Sequence, residues 1–164
     1  MYKHILIPLD GSGLAEQVLP HVETLAEKFD SAISLLRVIV PSTAAMAAAP
    51  VGLPMAPPVA PYTVAEVAET LEAERQVATE YLQSVAERLS GAGLRVTHEV
   101  QEGPLGITII ERANALGANL IAMTTHGRGG LERVILGSVA DDVIRRSNCP
   151  VLLVRVLETK PPQP

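Results

Sequence analysis

Aromatic side chains are nearly missing from this sequence: there is no tryptophan, one phenylalanine and three tyrosines, 2% of its 164 residues. Its core must therefore be filled by Val, Leu, Ile and Ala, in a chain that is 48% hydrophobic. Such small aliphatic residues suit parallel strands covered by helices on both faces. Cysteine is as scarce. Cys149 stands alone, so no disulfide framework can form within the chain, and a reducing cytoplasm is the expected setting. Basic charge is not in excess either: the net charge is −5 and the pI about 5.3, which argues against a nucleic-acid-coating or membrane-surface protein. No apolar run approaches the roughly 20 residues that span a bilayer. Met1-Tyr2-Lys3-His4 leads straight into an apolar segment, without the anatomy of a signal peptide.

What is present is an alternation of strand-like and helix-like segments. Residues 4–8 form a short apolar run ending in the turn cluster Leu9-Asp10-Gly11-Ser12, which reads as a buried first strand. Leu14, Val18, Val22, Leu25 and Phe29 then recur at helical spacing, with Ser12 placed to cap this helix and Pro20 placed to kink it. Residues 32–40 (AISLLRVIV) make a second strand. Between 41 and 62 the composition shifts to six prolines and seven alanines without a usable period, so this insert reads as a loop.

Helical period returns at Val64, Val67 and Leu71, runs through Ala78, Leu82, Val85 and Leu89, and stops at Gly91-Ala92-Gly93. Leu94, Val96, His98 and Val100 alternate with Arg95, Thr97 and Glu99, the pattern of an exposed edge strand. Gly103-Pro104 opens a helix expected to turn Ile107, Ile110, Ala113 and Leu116 inward. Residues 119–124 (NLIAMT) are the fourth strand, 138–146 the last helix and 151–156 the fifth strand. The polar, Pro-rich tail 157–164 follows a single domain at 1–156. Right-handed crossovers turn this string into an α/β fold, a doubly wound five-stranded parallel sheet of order 3-2-1-4-5.

Such sheets bind ligands at the carboxyl ends of the strands where the winding reverses. Here those ends are Pro8-Leu9-Asp10 and Met123-Thr124-Thr125, two segments distant in sequence. After the second come Gly127, Arg128, Gly129 and Gly130, then Gly137-Ser138 at a helix start. Glycines let the backbone approach a ligand, and a helix start offers unpaired N–H groups and a favourable dipole to an anion. Ser138 with Asp141 also matches a helix-capping pattern. The plainer alternative is that the glycines only make turns, Ser138 only caps, and Arg128 points into solvent. No Gly-Lys-[Ser/Thr] phosphate loop occurs, and Gly127-x-Gly129-Gly130 has the wrong spacing for a dinucleotide fingerprint.

Residues 123–154, MTTHGRGGLERVILGSVADDVIRRSNCPVLLV, resemble the carboxyl-terminal signature of the universal stress protein family. Residues 4–12, HILIPLDGS, are similar to that family's first strand and turn. The resemblance implies a Rossmann-like fold of the adenine nucleotide alpha-hydrolase type. The family's nucleotide-binding branch carries G-x2-G-x9-G-[ST]; this chain has Thr124-x2-Gly127-x9-Gly137-Ser138, with threonine at the first glycine. By matching position the resemblance implies that Asp10, beside Pro8 and Leu9, accepts a bond from ribose. Val38 would recognise adenine through its backbone, and Met123 and Thr124 would border base and ribose. Gly127, Gly137, Ser138 and Val139 would surround the phosphates of ATP, ADP or AMP, with a magnesium or manganese ion able to bridge phosphate oxygens. The family resemblance also implies a homodimer through strand 151–156, whose apolar edge otherwise invites uncontrolled pairing.

Other residues offer less. The four histidines show no metal-ligand spacing, Gly11-Ser12-Gly13 is not a nucleophile elbow, and Cys149 reads as a buried inert thiol. Asp141 and Asp142 fit the first turn of a helix by dipole arguments alone. No catalytic residue is assigned. The expected function is adenine nucleotide binding in stress response or signalling. The alternatives are a slow ATPase or self-phosphorylating enzyme, and a nucleotide-free dimeric interaction module.

Overall fold

The computed structural model describes residues 1–41, 64–125 and 136–155. The Pro/Ala-rich insert, Gly127 and Arg128, and the tail therefore lie outside the described residues, apart from Pro41. The strands are β1 (His4–Pro8), β2 (Ala32–Ile39), β3 (Arg95–Glu102), β4 (Leu120–Thr124) and β5 (Val151–Val154). The helices are α1 (Leu19–Phe29), α2 (Val64–Gly91), α3 (Leu105–Ala115) and α4 (Ser138–Arg146). All pairings are parallel, and the sheet order is β3-β2-β1-β4-β5. This is the doubly wound sheet expected from the alternation of elements.

Alternate residues of the central strands feed two cores. Ile5, Ile7, Ile33 and Leu35 pack with Val18, Val22, Leu82, Val85 and Leu89, placing α1 and α2 on one face. Leu6, Leu36 and Val38 pack with Ile109, Ala113, Ala140 and Val143, placing α3 and α4 on the other. Because both faces are covered, Ile5, Leu6 and Ile7 are all 0% exposed, and β1 reads as a continuous apolar run. Each fully buried side chain of this size contributes roughly 1.5–3 kcal/mol. The sole phenylalanine, Phe29, meets Tyr2 edge to face with ring centres 5.5 Å apart.

Four local expectations are corrected. Pro20 kinks nothing: Ala15–Val18 form a 3₁₀ turn and α1 begins at Leu19, so Pro20 sits in the first helical turn, where no intrahelical bond needs its missing amide. Ser12 does cap, but it serves the 3₁₀ turn, its Oγ accepting the Ala15 amide at 3.1 Å. In α3 the inward face is Gly106, Thr108, Ile109 and Ala113, whereas Ile107 is 41% exposed. Cys149 is partly rather than fully buried, with Sγ 3.5 Å from Ser147 Oγ.

Candidate functional site

The strand order sets β1 between β2 and β4, so their carboxyl ends share one edge of the sheet. The connection direction reverses here, and doubly wound sheets bind their ligands at such points. At the end of β1, Pro8 pairs with Leu36, and the Leu9 amide continues the ladder onto the Leu36 carbonyl at 2.9 Å. The chain then turns through Gly11, whose φ of +79° is a left-handed conformation that glycine adopts without strain. Asp10 Oδ1 accepts the Ser12 amide at 2.8 Å and the Ser12 hydroxyl at 2.5 Å. One carboxylate oxygen thus fixes the turn, which holds Asp10 just beyond the carboxyl end of β1.

Val38 lies near the carboxyl end of β2, and Met123 and Thr124 at that of β4. They are 8%, 8% and 7% exposed, and the first two belong to the core shared with α3 and α4. Thr124, where the family motif has glycine, is accommodated as the last residue of β4, opposite Val154.

The second segment arrives from far along the chain. The Gly137 amide donates to the Thr125 carbonyl at 2.9 Å, fastening the start of α4 to the end of β4. Gly137 is the extended N-cap residue, and the first helical bond runs from the Asp141 amide to the Gly137 carbonyl at 2.9 Å. The amides of Ser138, Val139 and Ala140 therefore have no acceptor within the helix, and the dipole adds partial positive charge there. That arrangement suits an anion.

The expected Ser138–Asp141 cap is corrected. The cap position is Gly137, no side chain caps this helix, and the Asp141 carboxylate pairs with Arg145 at 2.8 Å. Ser138 is consequently exposed, its hydroxyl not committed to capping. Asp142 pairs with Arg146 at 2.8 Å. Gly127 and Arg128 lie outside the described residues. Pro8, Leu9, Asp10, Val38, Met123, Thr124, Gly137, Ser138 and Val139 are otherwise all at the carboxyl ends of β1, β2 and β4 or the start of α4.

A charged group went unnoticed in the sequence. Tyr81 of α2 donates to Glu16 Oε1 at 3.1 Å, and Arg88 closes on Glu16 Oε2 at 2.7 Å. Burial pushes the Tyr81 phenol above its ordinary range; the charge and hydrogen bond of Glu16 and the charge of Asp10 add to this, and Arg37 opposes it. Arg37 in turn donates from Nη1 to the Leu9 carbonyl at 3.4 Å. The available signal was a single arginine inside the apolar string AISLLRVIV. Among the described residues no group of three His, Cys, Asp or Glu side chains could hold a metal, and no helix is long and apolar enough to cross a membrane.

Comparison with known proteins gives a consistent result. The family model described as the universal stress protein family matches residues 1–155. Universal stress protein MJ0531 of Methanocaldococcus jannaschii is 36% identical over 155 residues, covering 94% of this chain and 83% of that protein. The solved structure of hypothetical protein MJ0577 superposes with a TM-score of 0.80 at 27% identity, covering 97% of this chain and 99% of the other. The fold alone is shared with a universal stress protein crystallised in complex with cAMP (TM-score 0.61, 19% identity, 94% and 97% covered). It is also shared with an Archaeoglobus fulgidus universal stress protein in complex with dAMP (TM-score 0.58, 18% identity, 93% and 97% covered). Fold and sequence agree along the matched length: this chain belongs to the universal stress protein family.

Proposed function

We propose that this protein binds ATP or a related adenine nucleotide at the carboxyl end of β1, and that partners read its bound state in stress response or signalling. The observation that carries the reading is the Gly137 amide on the Thr125 carbonyl, which brings the open amides of α4 to the strand ends that hold Asp10 and Thr124. In this reading adenine lies against the Val38 backbone and Met123, and ribose lies at Asp10 beside Pro8 and Leu9. The phosphates meet Gly127, Gly137, Ser138 and Val139, with Arg128 adding charge and magnesium or manganese bridging the oxygens. The cAMP- and dAMP-bound relatives support the adenine nucleotide class. The protein acts in the cytoplasm as a homodimer joined through β5.

A second reading, slow ATP hydrolysis or self-phosphorylation, draws on one observation: the Ser12 hydroxyl lies 2.5 Å from the Asp10 carboxylate. The binding reading is preferred because that bond also makes the turn, with Ser12 Oγ accepting the Ala15 amide. Mass analysis of small molecules released on denaturing the purified protein, with calorimetry against ATP, ADP, AMP and GTP, tests the proposal. The expected result is an adenine nucleotide in the released fraction and ATP bound in preference to GTP. No binding of any of the four at millimolar concentration would leave the nucleotide-free interaction module as the better reading.

A further inference from the structure

Arg37 is the one charged residue of β2. It shares a face with Ile33 and Leu35, which are 1% and 0% exposed, and is itself partly buried. An arginine on a core face is uncommon unless its charge is matched, because desolvating an unmatched cation is costly. Its surroundings supply the match and indicate what it does.

The Leu9 amide is bonded to the Leu36 carbonyl at 2.9 Å, and the Leu9 carbonyl receives Arg37 Nη1 at 3.4 Å. Both peptide units flanking Leu9 are thus tied to β2, the first by backbone and the second by the guanidinium. The second unit is the peptide that carries Asp10. Beyond it, Glu16 joins Tyr81 at 3.1 Å and Arg88 at 2.7 Å, and the Tyr81 phenol responds to Asp10 and Arg37 together. The Tyr81 hydroxyl is bonded directly to Glu16, and the charges of Asp10 and Arg37 act on it with opposite sign. Arg37 thus brings a positive charge to the peptide that carries Asp10.

We propose that Arg37 is a positioning residue of the nucleotide site, holding the Leu9–Asp10 peptide and balancing the Asp10 charge so that this carboxylate receives a ribose hydroxyl. The inference rests on the reading that ribose lies at Asp10. It assigns the site a preference for ligands that carry ribose hydroxyls, exerted through Asp10 and not through contact between Arg37 and the phosphates.

Calorimetry on the full chain with ATP and 2′,3′-dideoxy-ATP tests it, using wild type, Arg37→Met and Arg37→Lys, with thermal melting to confirm folding. Wild type should prefer ATP. Arg37→Met should weaken ATP roughly tenfold, as expected for losing one hydrogen bond to a charged group, and leave dideoxy-ATP unchanged. Arg37→Lys should recover part of the preference. Should Arg37→Met fail to fold, Arg37→Gln, uncharged but still a donor, is read by the same ratio. Equal weakening of both nucleotides, or of neither, would overturn the proposal and leave nucleotide binding intact. Wild type that binds neither nucleotide would overturn the nucleotide reading itself, and the proposal with it.

Discussion

Gly106 of α3 lies directly against Asp142 of α4: a methyl group built on Gly106 would fall 2.9 Å from Cγ and 3.1 Å from Cβ of Asp142. The two helices pack through this absent side chain, while the Asp142 carboxylate stays paired with Arg146. Gly106→Ala should therefore destabilise the domain by about 1–2 kcal/mol, overpacking outweighing the gain in helix propensity. Thermal or denaturant unfolding measures it. Asp142→Ala in the same chain should restore most of the loss, since it removes the colliding group and costs only an exposed ion pair.

Gly137→Val should abolish nucleotide binding with little change in unfolding, because an extended cap residue tolerates a side chain but the ligand's oxygens do not. Ser138→Ala should weaken binding mildly and cost well under the ~1 kcal/mol of a true capping serine, because Gly137 holds the cap position. Calorimetry beside thermal melting separates the two effects. Wild-type affinity in Gly137→Val would place the phosphates elsewhere.

Tyr81 predicts a pH dependence of known sign. Its phenol is raised above the unfolded value near 10 by burial first and then by Glu16. The folded state keeps this proton where the unfolded chain has lost it. The stabilisation is thus complete below about pH 10 and fades as pH rises toward the folded-state value. Tyr81→Phe should flatten the alkaline loss of stability measured by denaturant melts between about pH 9 and 11. In wild type the Tyr81 phenol should ionise late by ultraviolet absorbance, a phase absent from Tyr81→Phe. A chain in which all three tyrosines titrate together would contradict this.

ATP turnover should fall far below the roughly 1–10³ s⁻¹ common among enzymes. Ser12 carries a hydroxyl bonded directly to a carboxylate, but its oxygen is held in the turn by Asp10 and the Ala15 amide. Phosphate release and intact-mass measurements on contaminant-free protein check this. Turnover within the enzymatic range, lost in Asp10→Ala, would favour the ATPase reading; phosphate incorporated in wild type but not in Ser12→Ala would favour self-phosphorylation.

Among the described residues β5 pairs with β4 on one side only, and its four apolar residues are all partly buried. Edge strands of this kind are normally covered, and a second copy across a two-fold axis is the simplest cover. Sedimentation at micromolar concentration should give twice the 17.4 kDa chain mass. Leu153→Pro, or Leu152→Lys with Val154→Lys, should yield monomer. A wild-type monomer would refute the dimer and leave the nucleotide site untouched.

Much of this architecture was legible because strand and helix periods are local. HILIP, AISLLRVIV and NLIAMT are each too apolar and too short to be anything but buried strands once helical patterns separate them, and crossover handedness then orders the sheet. The phase of α3 was not legible. Leu105, Ile107, Ile109 and Ile110 offer apolar residues on several faces, and the choice falls to the close contact of Gly106 with Asp142. The cap of α4 shifted by one residue for a similar reason, since its position depends on the bond from Gly137 to Thr125.

The sequence by itself determined the class of fold, the family, and the two segments bearing the candidate site, because composition, period and motif spacing are properties of the chain. Only the tertiary structure decided that Arg37, Tyr81, Glu16 and Arg88 stand together behind Asp10. Their numbers in the chain carry no such message: residues 16, 37, 81 and 88 come together because β2 lies beside β1 and α2 packs across both, and burial of the Tyr81 phenol makes the neighbouring charges matter to it.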